Sequence, residues 1–169
     1  MLKHILSCIA LVLSVAPYAG AQPGQTDPFN GTWRLNVARS TASWQSHAQP
    51  KIATPQPQSF EVVTIKVADS TMDYSVEYAR ANEPHQKAHF NAKYNDAKWQ
   101  EIHGAAPGAY ASLTLVKSAD RIRYLVTRGK DGQFAGLILH KMADDGRTFT
   151  SVGMGGDGYV QYVRVFEKQ

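Results

Sequence analysis

Three consecutive runs in the second half of the chain are Arg-Ile-Arg-Tyr-Leu-Val-Thr-Arg at residues 121–128, Gly-Lys-Asp-Gly at 129–132 and Gln-Phe-Ala-Gly-Leu-Ile-Leu-His-Lys-Met at 133–142. The outer runs are rich in β-branched and aromatic residues, which favour strands. The four residues between them carry the glycines and the aspartate that tight hairpin turns require. This stretch predicts two antiparallel strands joined by a short turn.

The same pattern repeats along most of the chain. Strands are predicted at residues 31–36, 60–68, 71–81, 86–94, 109–117, 121–128, 133–142, 147–154 and 159–167. Residues 37–59 contain three prolines and are predicted to be a surface loop, in which residues 37–44 can form one or two helical turns. A long series of hairpins removes its edges by closing on itself, so we expect an all-β fold. The predicted architecture is a single up-and-down antiparallel β-barrel of about eight or nine strands.

The first 21 residues have the organisation of a secretory signal peptide. Lys3 and His4 precede an apolar run at residues 5–15, and Ala19-Gly20-Ala21 supplies a small-x-small cleavage site. The run is shorter than the roughly 20 residues that a membrane-spanning helix needs. We therefore expect a signal peptide at residues 1–21 and one exported domain at residues 22–169, periplasmic or extracellular. No integral membrane segment is expected after cleavage.

Composition and charge limit the partners of this domain. Hydrophobic residues make up 43% and charged residues 19% of the chain, a profile typical of a folded globular protein. The formal net charge of +4 falls to +3 when Lys3 leaves with the leader, and the remaining basic residues are scattered. Scattered charge argues against nucleic-acid binding. Cys8 is the only cysteine and also lies in the leader, so core burial alone must hold the domain together. The oligomeric state is left open.

Gly31-Thr32-Trp33 resembles the Gly-x-Trp signature on the first strand of lipocalin-like (calycin-type) β-barrels. Residues 29–36 with Arg39-Ser40, and residues 145–150 and 163–168, are similar to the two ends of a family of secreted bacterial lipocalin-like proteins. Residues 79–108 match poorly. Avidin-like barrels share Gly-Thr-Trp, so the tripeptide indicates the barrel better than its ligand.

The resemblance implies an eight- or nine-stranded barrel with a cavity at one end, and the family includes both carriers and enzymes. It also implies that Trp33 lies at the closed end, stacked by an arginine from a late strand. Arg164 is the candidate, through a cation–π contact of roughly 0.5–2 kcal/mol. Both residues would then be structural, with a ligand contact as the alternative.

Alternation along four of the strands predicts which side chains point into the barrel. The four inward sets are Met72, Tyr74, Val76, Tyr78 and Arg80; Ile122, Tyr124, Val126 and Arg128; Phe134, Gly136, Ile138, His140 and Met142; and Val160, Tyr162, Arg164 and Phe166. Each set is apolar with one or two polar-tipped members. Because an unpaired buried charge is costly, either these faces line a ligand cavity or they are solvated.

The polar members of these sets are the candidate site. Tyrosine rings supply apolar walls with a hydroxyl group, and arginine holds a carboxylate or phenolate. We expect an exported binding protein whose cavity holds a small hydrophobic or aromatic ligand, which can be acidic. The predicted ligand-binding residues are Tyr74, Tyr78, Arg80 and Arg128.

Two alternatives remain open. One is a cofactor-free lyase, isomerase or hydrolase for a small aromatic or lipid-like substrate. Its catalytic residues would be His140, Tyr124 and Tyr162, which move protons, while Arg80 or Arg128 holds an anion. The other is an envelope interaction protein whose barrel only displays residues 79–108.

No cofactor and no metal are expected. His85, His89 and His103 with Glu83 invite a zinc hypothesis, but strand positions four apart lie about 13 Å from each other. Only a helical turn at residues 84–88 would bring His85 and His89 together, and no cysteine supports them. The glycine-rich residues 153–158 lack the Lys-Ser/Thr of a phosphate loop and predict a hairpin turn.

Overall fold

The computed structural model describes residues 26–42, 58–105 and 110–169. Within these residues the chain forms eleven strands and no helix. The strands are β1 (Gly31–Ala42), β2 (Gln58–Ala68), β3 (Thr71–Arg80), β4 (Gln86–Lys93), β5 (Gln100–Glu101), β6 (His103–Gly104), β7 (Tyr110–Ala119), β8 (Ile122–Gly129), β9 (Phe134–Met142), β10 (Thr148–Gly155) and β11 (Val160–Lys168). Among the described residues there is accordingly no helix long and apolar enough to cross a bilayer.

The strands form one antiparallel sheet that curls into a nearly closed barrel. Consecutive strands are neighbours from β1 to β4 and from β7 to β11, and β11 returns to pair with β1. The seam lies between β4 and β7. There β6 pairs with β4, β5 pairs with β7, and a parallel bridge joins Tyr94 to Leu115. The predicted all-β antiparallel barrel is confirmed.

The predicted strand number of eight or nine is wrong, because the described residues already form eleven strands. The nine predicted strands coincide with the nine longer ones. The two additional strands, β5 and β6, contain two residues each and lie between β4 and β7. A two-residue strand cannot display an alternating pattern, so no sequence period could reveal it.

The first strand is longer than predicted. Residues 37–42, expected to begin a loop with helical turns, continue β1 beside β11. The pairing shifts register between Asn36 and Thr41. Within this bulge the Ser40 hydroxyl donates to the Asn36 carbonyl at 2.6 Å and accepts the Val165 amide at 3.0 Å. A bulge lets extra residues enter a strand without ending it. Residues 1–25, which include the predicted signal peptide, 43–57, which include most of the predicted loop, and 106–109 lie outside the described residues.

Large aromatic side chains fill one end of the barrel. Trp33, near the start of β1, is fully buried and meets the Phe149 ring edge-on at 5.1 Å between centroids. Its indole Nε1 donates to the Phe29 carbonyl at 2.8 Å. The prediction that Arg164 stacks on Trp33 is wrong, because Lys168 lies over that ring, with its Nζ 5.3 Å from the ring centroid. Arg164 lies 4.0 Å over the Tyr162 ring instead.

Candidate functional site

Strand β8 presents the face opposite to the predicted one. Arg123, Leu125 and Thr127 are buried inside the barrel, whereas Tyr124 and Arg128 are half-buried on the outer face. Both faces carry aliphatic side chains, so alternation alone could not distinguish them. The prediction that Ile122, Tyr124, Val126 and Arg128 point inward is therefore wrong.

The inward faces predicted for β3, β9 and β11 are confirmed along most of each strand. Met72, Val76, His140, Met142 and Phe166 are all buried. The exceptions lie at the strand ends near the barrel opening, where Phe134 is 54% and Val160 is 40% exposed. Three of the four face assignments thus place the expected side chains inside.

A cavity lies inside the barrel. The centre of a water molecule can move through about 50 Å³ of it, several times the roughly 10–15 Å³ that one buried water requires. Its polar lining consists of Glu61, Tyr74, His89, Tyr110, Thr127, His140, Ser151, Tyr162 and Arg164. Its apolar lining includes Val76, Phe90, Leu113, Leu125, Ile138 and Phe166. The space is therefore small and mixed in polarity.

Three of the seven predicted site residues line this cavity: Tyr74, His140 and Tyr162. Two others stay near the barrel opening without lining it. The Tyr78 hydroxyl donates to Gln86 Oε1 at 2.6 Å, and the Arg80 guanidinium lies 3.6 Å from Glu83. These two side chains are thus engaged with neighbours at the strand ends.

The remaining two predicted site residues lie on the outer face of β8. The Arg128 guanidinium lies 3.8 Å over the Trp99 ring. Tyr124 is half-buried on the same face, nearer the start of the strand. The roles given to Tyr124 and Arg128 depended on the wrong face of β8, and neither side chain lines the cavity.

The sequence analysis missed a buried ion pair at the cavity wall. Arg164 Nη1 lies 3.0 and 3.4 Å from the two carboxylate oxygens of Glu61, and the side chains are 18% and 3% exposed. A signal did exist, because Glu61 shares its strand face with Val63 and Ile65, both buried. A carboxylate on a buried face requires a partner. Arg164 supplies that partner from β11.

Burial controls the electrostatics of this pair. Burial raises the pKa of Glu61, and the nearby Arg164 opposes that shift. The pair places one positive and one negative group side by side, so its charges cancel locally. Among the described residues that line the cavity, Arg164 is the only lysine or arginine. The described lining residues therefore offer no guanidinium or ammonium group that lacks a counter-ion.

The phenols of the cavity are protonated at neutral pH. Burial raises the pKa of Tyr74, Tyr110 and Tyr162, and Arg164 only partly offsets this. Tyr162 lies flat against β10, and a methyl group at Gly153 would overlap its ring. Gly153 thus makes room for Tyr162, and Tyr162 in turn supports the Arg164 guanidinium.

His140 contributes a neutral imidazole. Burial lowers its pKa well below the usual range, and the positive charge of Arg123 acts in the same direction. Its ring lies 6.3 Å from the Tyr74 ring and 5.3 Å from the Phe149 ring. Nδ1 is buried and forms no hydrogen bond with any described residue. This imidazole can exchange hydrogen bonds with a neutral molecule, but it is a weak base.

Arg123 lies behind the cavity and not in its wall. It lies directly opposite His140 in the backbone pairing of β8 with β9. Its Nη1 donates to the Tyr94 hydroxyl at 2.6 Å and contacts the Met72 sulfur at 3.0 Å, while the guanidinium lies 3.5 Å over the Phe29 ring. These contacts place Arg123 among the residues that fill the end near Trp33.

Of the histidines considered for zinc, His89 borders the cavity, whereas His85 and His103 do not. His85 Nδ1 is 2.8 Å from Glu77, and its ring stacks on Phe60 at 4.6 Å. His89 and His103 face each other at 5.1 Å between ring centroids. In the described ranges no group of three or more His, Cys, Asp or Glu side chains is arranged to hold a metal ion.

Comparison with known proteins finds no match to this chain, neither to a protein-family model nor to a curated protein. The chemistry of the site must therefore be read from its geometry. Aromatic walls, protonated hydroxyls, a neutral imidazole and an ion pair with cancelled charge can together hold a small molecule that is uncharged and aromatic.

Proposed function

We propose that this protein is an exported carrier that binds a small, uncharged aromatic molecule inside the barrel. The bound molecule carries a hydroxyl or carbonyl group. One observation supports this proposal above the others: a cavity in which aromatic and aliphatic walls surround polar groups whose charges are cancelled or absent. Ligand pockets typically combine mostly apolar walls with a few placed polar groups.

The size of the cavity favours a ligand with a single ring. The available space accommodates a few water molecules and is too short for a long acyl chain. The walls favour aromatic character, since Tyr74 and Phe90 stack at 4.8 Å with an angle of only 12° between their planes. Such paired rings offer flat faces and edges to a further ring, worth roughly 0.5–1.5 kcal/mol beyond area burial.

The charges of the cavity favour a neutral ligand over an acidic one. A carboxylate entering the cavity would meet Arg164 already paired with Glu61 at 3.0 Å. It would have to separate that pair or lie beside a second buried negative charge, and either costs several kcal/mol. A hydroxyl or carbonyl group meets no such cost, because Tyr74, Tyr162 and His140 can bond it directly.

The finer classification and the location belong to the same proposal. We propose a lipocalin-like barrel, supported by Trp33 on β1, its packing against Phe149 and the pairing of β11 with β1. Export is supported by the signal-peptide pattern of residues 1–21.

The catalytic alternative is less well supported. One of its three groups, Tyr124, lies on the outer face. The other two, His140 and Tyr162, line the cavity, but burial lowers the pKa of the imidazole and raises that of the phenol. General acid–base catalysis works best when the pKa lies near the working pH. Both shifts move away from neutrality, so we favour binding.

Calorimetric titration of the exported protein with phenol, benzoate and benzylamine tests the proposal. We expect phenol to bind and the two charged ring compounds to bind at least tenfold more weakly. Ile138→Trp, which fills the cavity from β9, should abolish phenol binding. Leu139→Trp, the adjacent residue on the outer face of the same strand, is the matched control and should leave binding unchanged. Absence of phenol binding, or binding unaffected by Ile138→Trp, would overturn the proposal.

A further inference from the structure

Two histidines face each other on the outer wall of the barrel, at the seam. His89 on β4 pairs directly with His103 on β6, with ring centroids 5.1 Å apart and ring planes 33° apart. Although His89 borders the cavity, its side chain is exposed, since the inward face of β4 is formed by Ala88, Phe90 and Ala92. We propose that His89 and His103 bind one divalent late transition-metal ion on this wall.

The spacing of the two rings suits a shared ion. Imidazole nitrogens bind zinc and similar ions at about 2.0–2.1 Å, which places the ion about 3.2 Å from each ring centroid. For angles between about 90°, as in square-planar copper(II), and the tetrahedral angle of about 109°, the two centroids then lie about 4.5–5.2 Å apart, and the observed distance is 5.1 Å. The site forms when side-chain rotation directs one nitrogen of each ring to a common point between the two centroids.

A carboxylate lies close to one of the two imidazoles. Glu101 Oε1 is 4.0 Å from Nδ1 of His103, which leaves Nε2 of His103 for the ion. A ligating histidine commonly donates its other N–H to a carboxylate, which fixes the ring and raises its basicity. The described residues contain no preformed third ligand, so water completes the coordination. Two imidazoles with open positions favour copper(II) over nickel(II) and zinc, following the usual order of affinity.

The backbone around His103 is built for this close approach. Gly104 has φ +86°, and a methyl group there would overlap the Lys87 carbonyl oxygen. The Ala105 amide donates to that same carbonyl at 2.9 Å. Glycine therefore allows β6 to reach β4, and the hydrogen bond fixes the register that sets His103 opposite His89. Strand pairing brings the two histidines together, which sequence spacing alone could not predict.

The ion would stabilise the seam of the barrel, where β6 pairs with β4 through only two residues. Strand β6 has only two residues and stands at one end of the sheet order, attached to β4. Ile102, which precedes β6, lines the cavity. An ion bound between His89 and His103 therefore holds one wall of the cavity in place, and it stabilises the folded state because the unfolded chain lacks the paired site.

Titration of the untagged, chelator-treated protein with copper(II) chloride tests this site. We expect one tight equivalent, weaker binding of zinc chloride, and a rise in the thermal midpoint on copper addition. His89→Ala and His103→Ala should each weaken copper binding by about 10–100-fold or more. His85→Ala is the matched control: this exposed histidine lies outside the pair and should leave copper affinity unchanged.

Gly104→Ala provides a second test that leaves all imidazoles present. By displacing β6 it should weaken copper binding about tenfold or more, while circular dichroism still shows the β-barrel. The proposal is wrong if the unaltered protein binds no copper, or if His89→Ala and His103→Ala bind it as the unaltered protein does. It is equally wrong if His85→Ala lowers the affinity as much as they do, since binding would then be diffuse.

Discussion

Glu61→Ala should strongly destabilise the barrel. The carboxylate of Glu61 is the partner of Arg164, 3.0 and 3.4 Å from its Nη1, and the two side chains are only 3% and 18% exposed. Because little solvent reaches the pair, water screens the attraction between Glu61 and Arg164 only weakly. Alanine would leave a guanidinium buried without a counter-ion, at a cost of about 3–5 kcal/mol. A domain typically has about 5–15 kcal/mol of total stability, so this is a large share.

Urea unfolding at pH 7, followed by tryptophan fluorescence, measures this cost. The matched control is the double variant Glu61→Leu with Arg164→Met, which removes both charges and keeps the apolar volume. Replacing a buried ion pair in this way is often neutral or stabilising, so the double variant should unfold close to the unaltered protein. A loss below about 1 kcal/mol for Glu61→Ala, or an equal loss in the double variant, would refute the reasoning.

The pH dependence of Glu61 has a definite sign. Burial raises the pKa of this carboxyl, so the folded state keeps a proton that the unfolded chain releases above about pH 4.3. Its contribution to stability is complete below that pH and is lost as the pH rises through the folded pKa. The unfolding free energy of the unaltered protein, minus that of Glu61→Gln, should therefore fall from pH 4 to pH 7. A difference that grows with pH would show that Arg164 outweighs burial.

Three further predictions concern other parts of the barrel. Burial lowers the pKa of His140 in the folded protein. Its contribution to the free energy of unfolding should therefore be fully present above about pH 6.5, the pKa of an unfolded histidine, and should fall by up to about 1.4 kcal/mol per pH unit below it. His140→Phe should remove that slope in urea unfolding between pH 5 and 7, and an unchanged slope would contradict it. Gly153→Ala should lower the free energy of unfolding by about 1–3 kcal/mol and weaken phenol binding, because the methyl group displaces Tyr162. An unchanged phenol affinity in calorimetry would count against this. Arg128→Ala should leave phenol binding intact and cost about 0.5–1 kcal/mol through its lost contact with Trp99, whereas lost binding would return Arg128 to the site.

The fold was largely predictable because the barrel is built from local hairpins. Strand runs, turn glycines and aspartates repeat along the chain, and each longer strand pairs with its sequence neighbour apart from the closure of β11 on β1. Strands β5 and β6 escaped prediction because two residues carry no period. The extension of β1 through residues 37–42 depends on a bulge held by the Ser40 hydroxyl, which is a contact and not a pattern.

The candidate site was predictable only in part. Tyr74 was found because the opposite face of β3 is polar, with Asp73, Ser75 and Glu77. His140 and Tyr162 lie on strands with aliphatic residues on both faces, and there the choice of the face with the polar-tipped side chains was right. Tyr124 and Arg128 were misplaced because β8 carries aliphatic residues on both faces, and the arginine that is buried there is Arg123.

The pairing of Glu61 with Arg164 joins β2 to β11, residues 103 positions apart in the sequence. Sequence spacing does not reveal such a partner. It can only show that Glu61 lies among buried valine and isoleucine residues and must have one.

A crystal structure of the protein soaked with 4-bromophenol, with the bromine located by its anomalous signal, shows whether the barrel interior binds a small uncharged aromatic molecule. We expect one strong bromine peak inside the barrel, with the phenol hydroxyl bonded among Tyr74, His140 and Tyr162 while Glu61 and Arg164 remain paired. Bromine found only on the outer surface, with the interior side chains packed together and no ring between them, would contradict it.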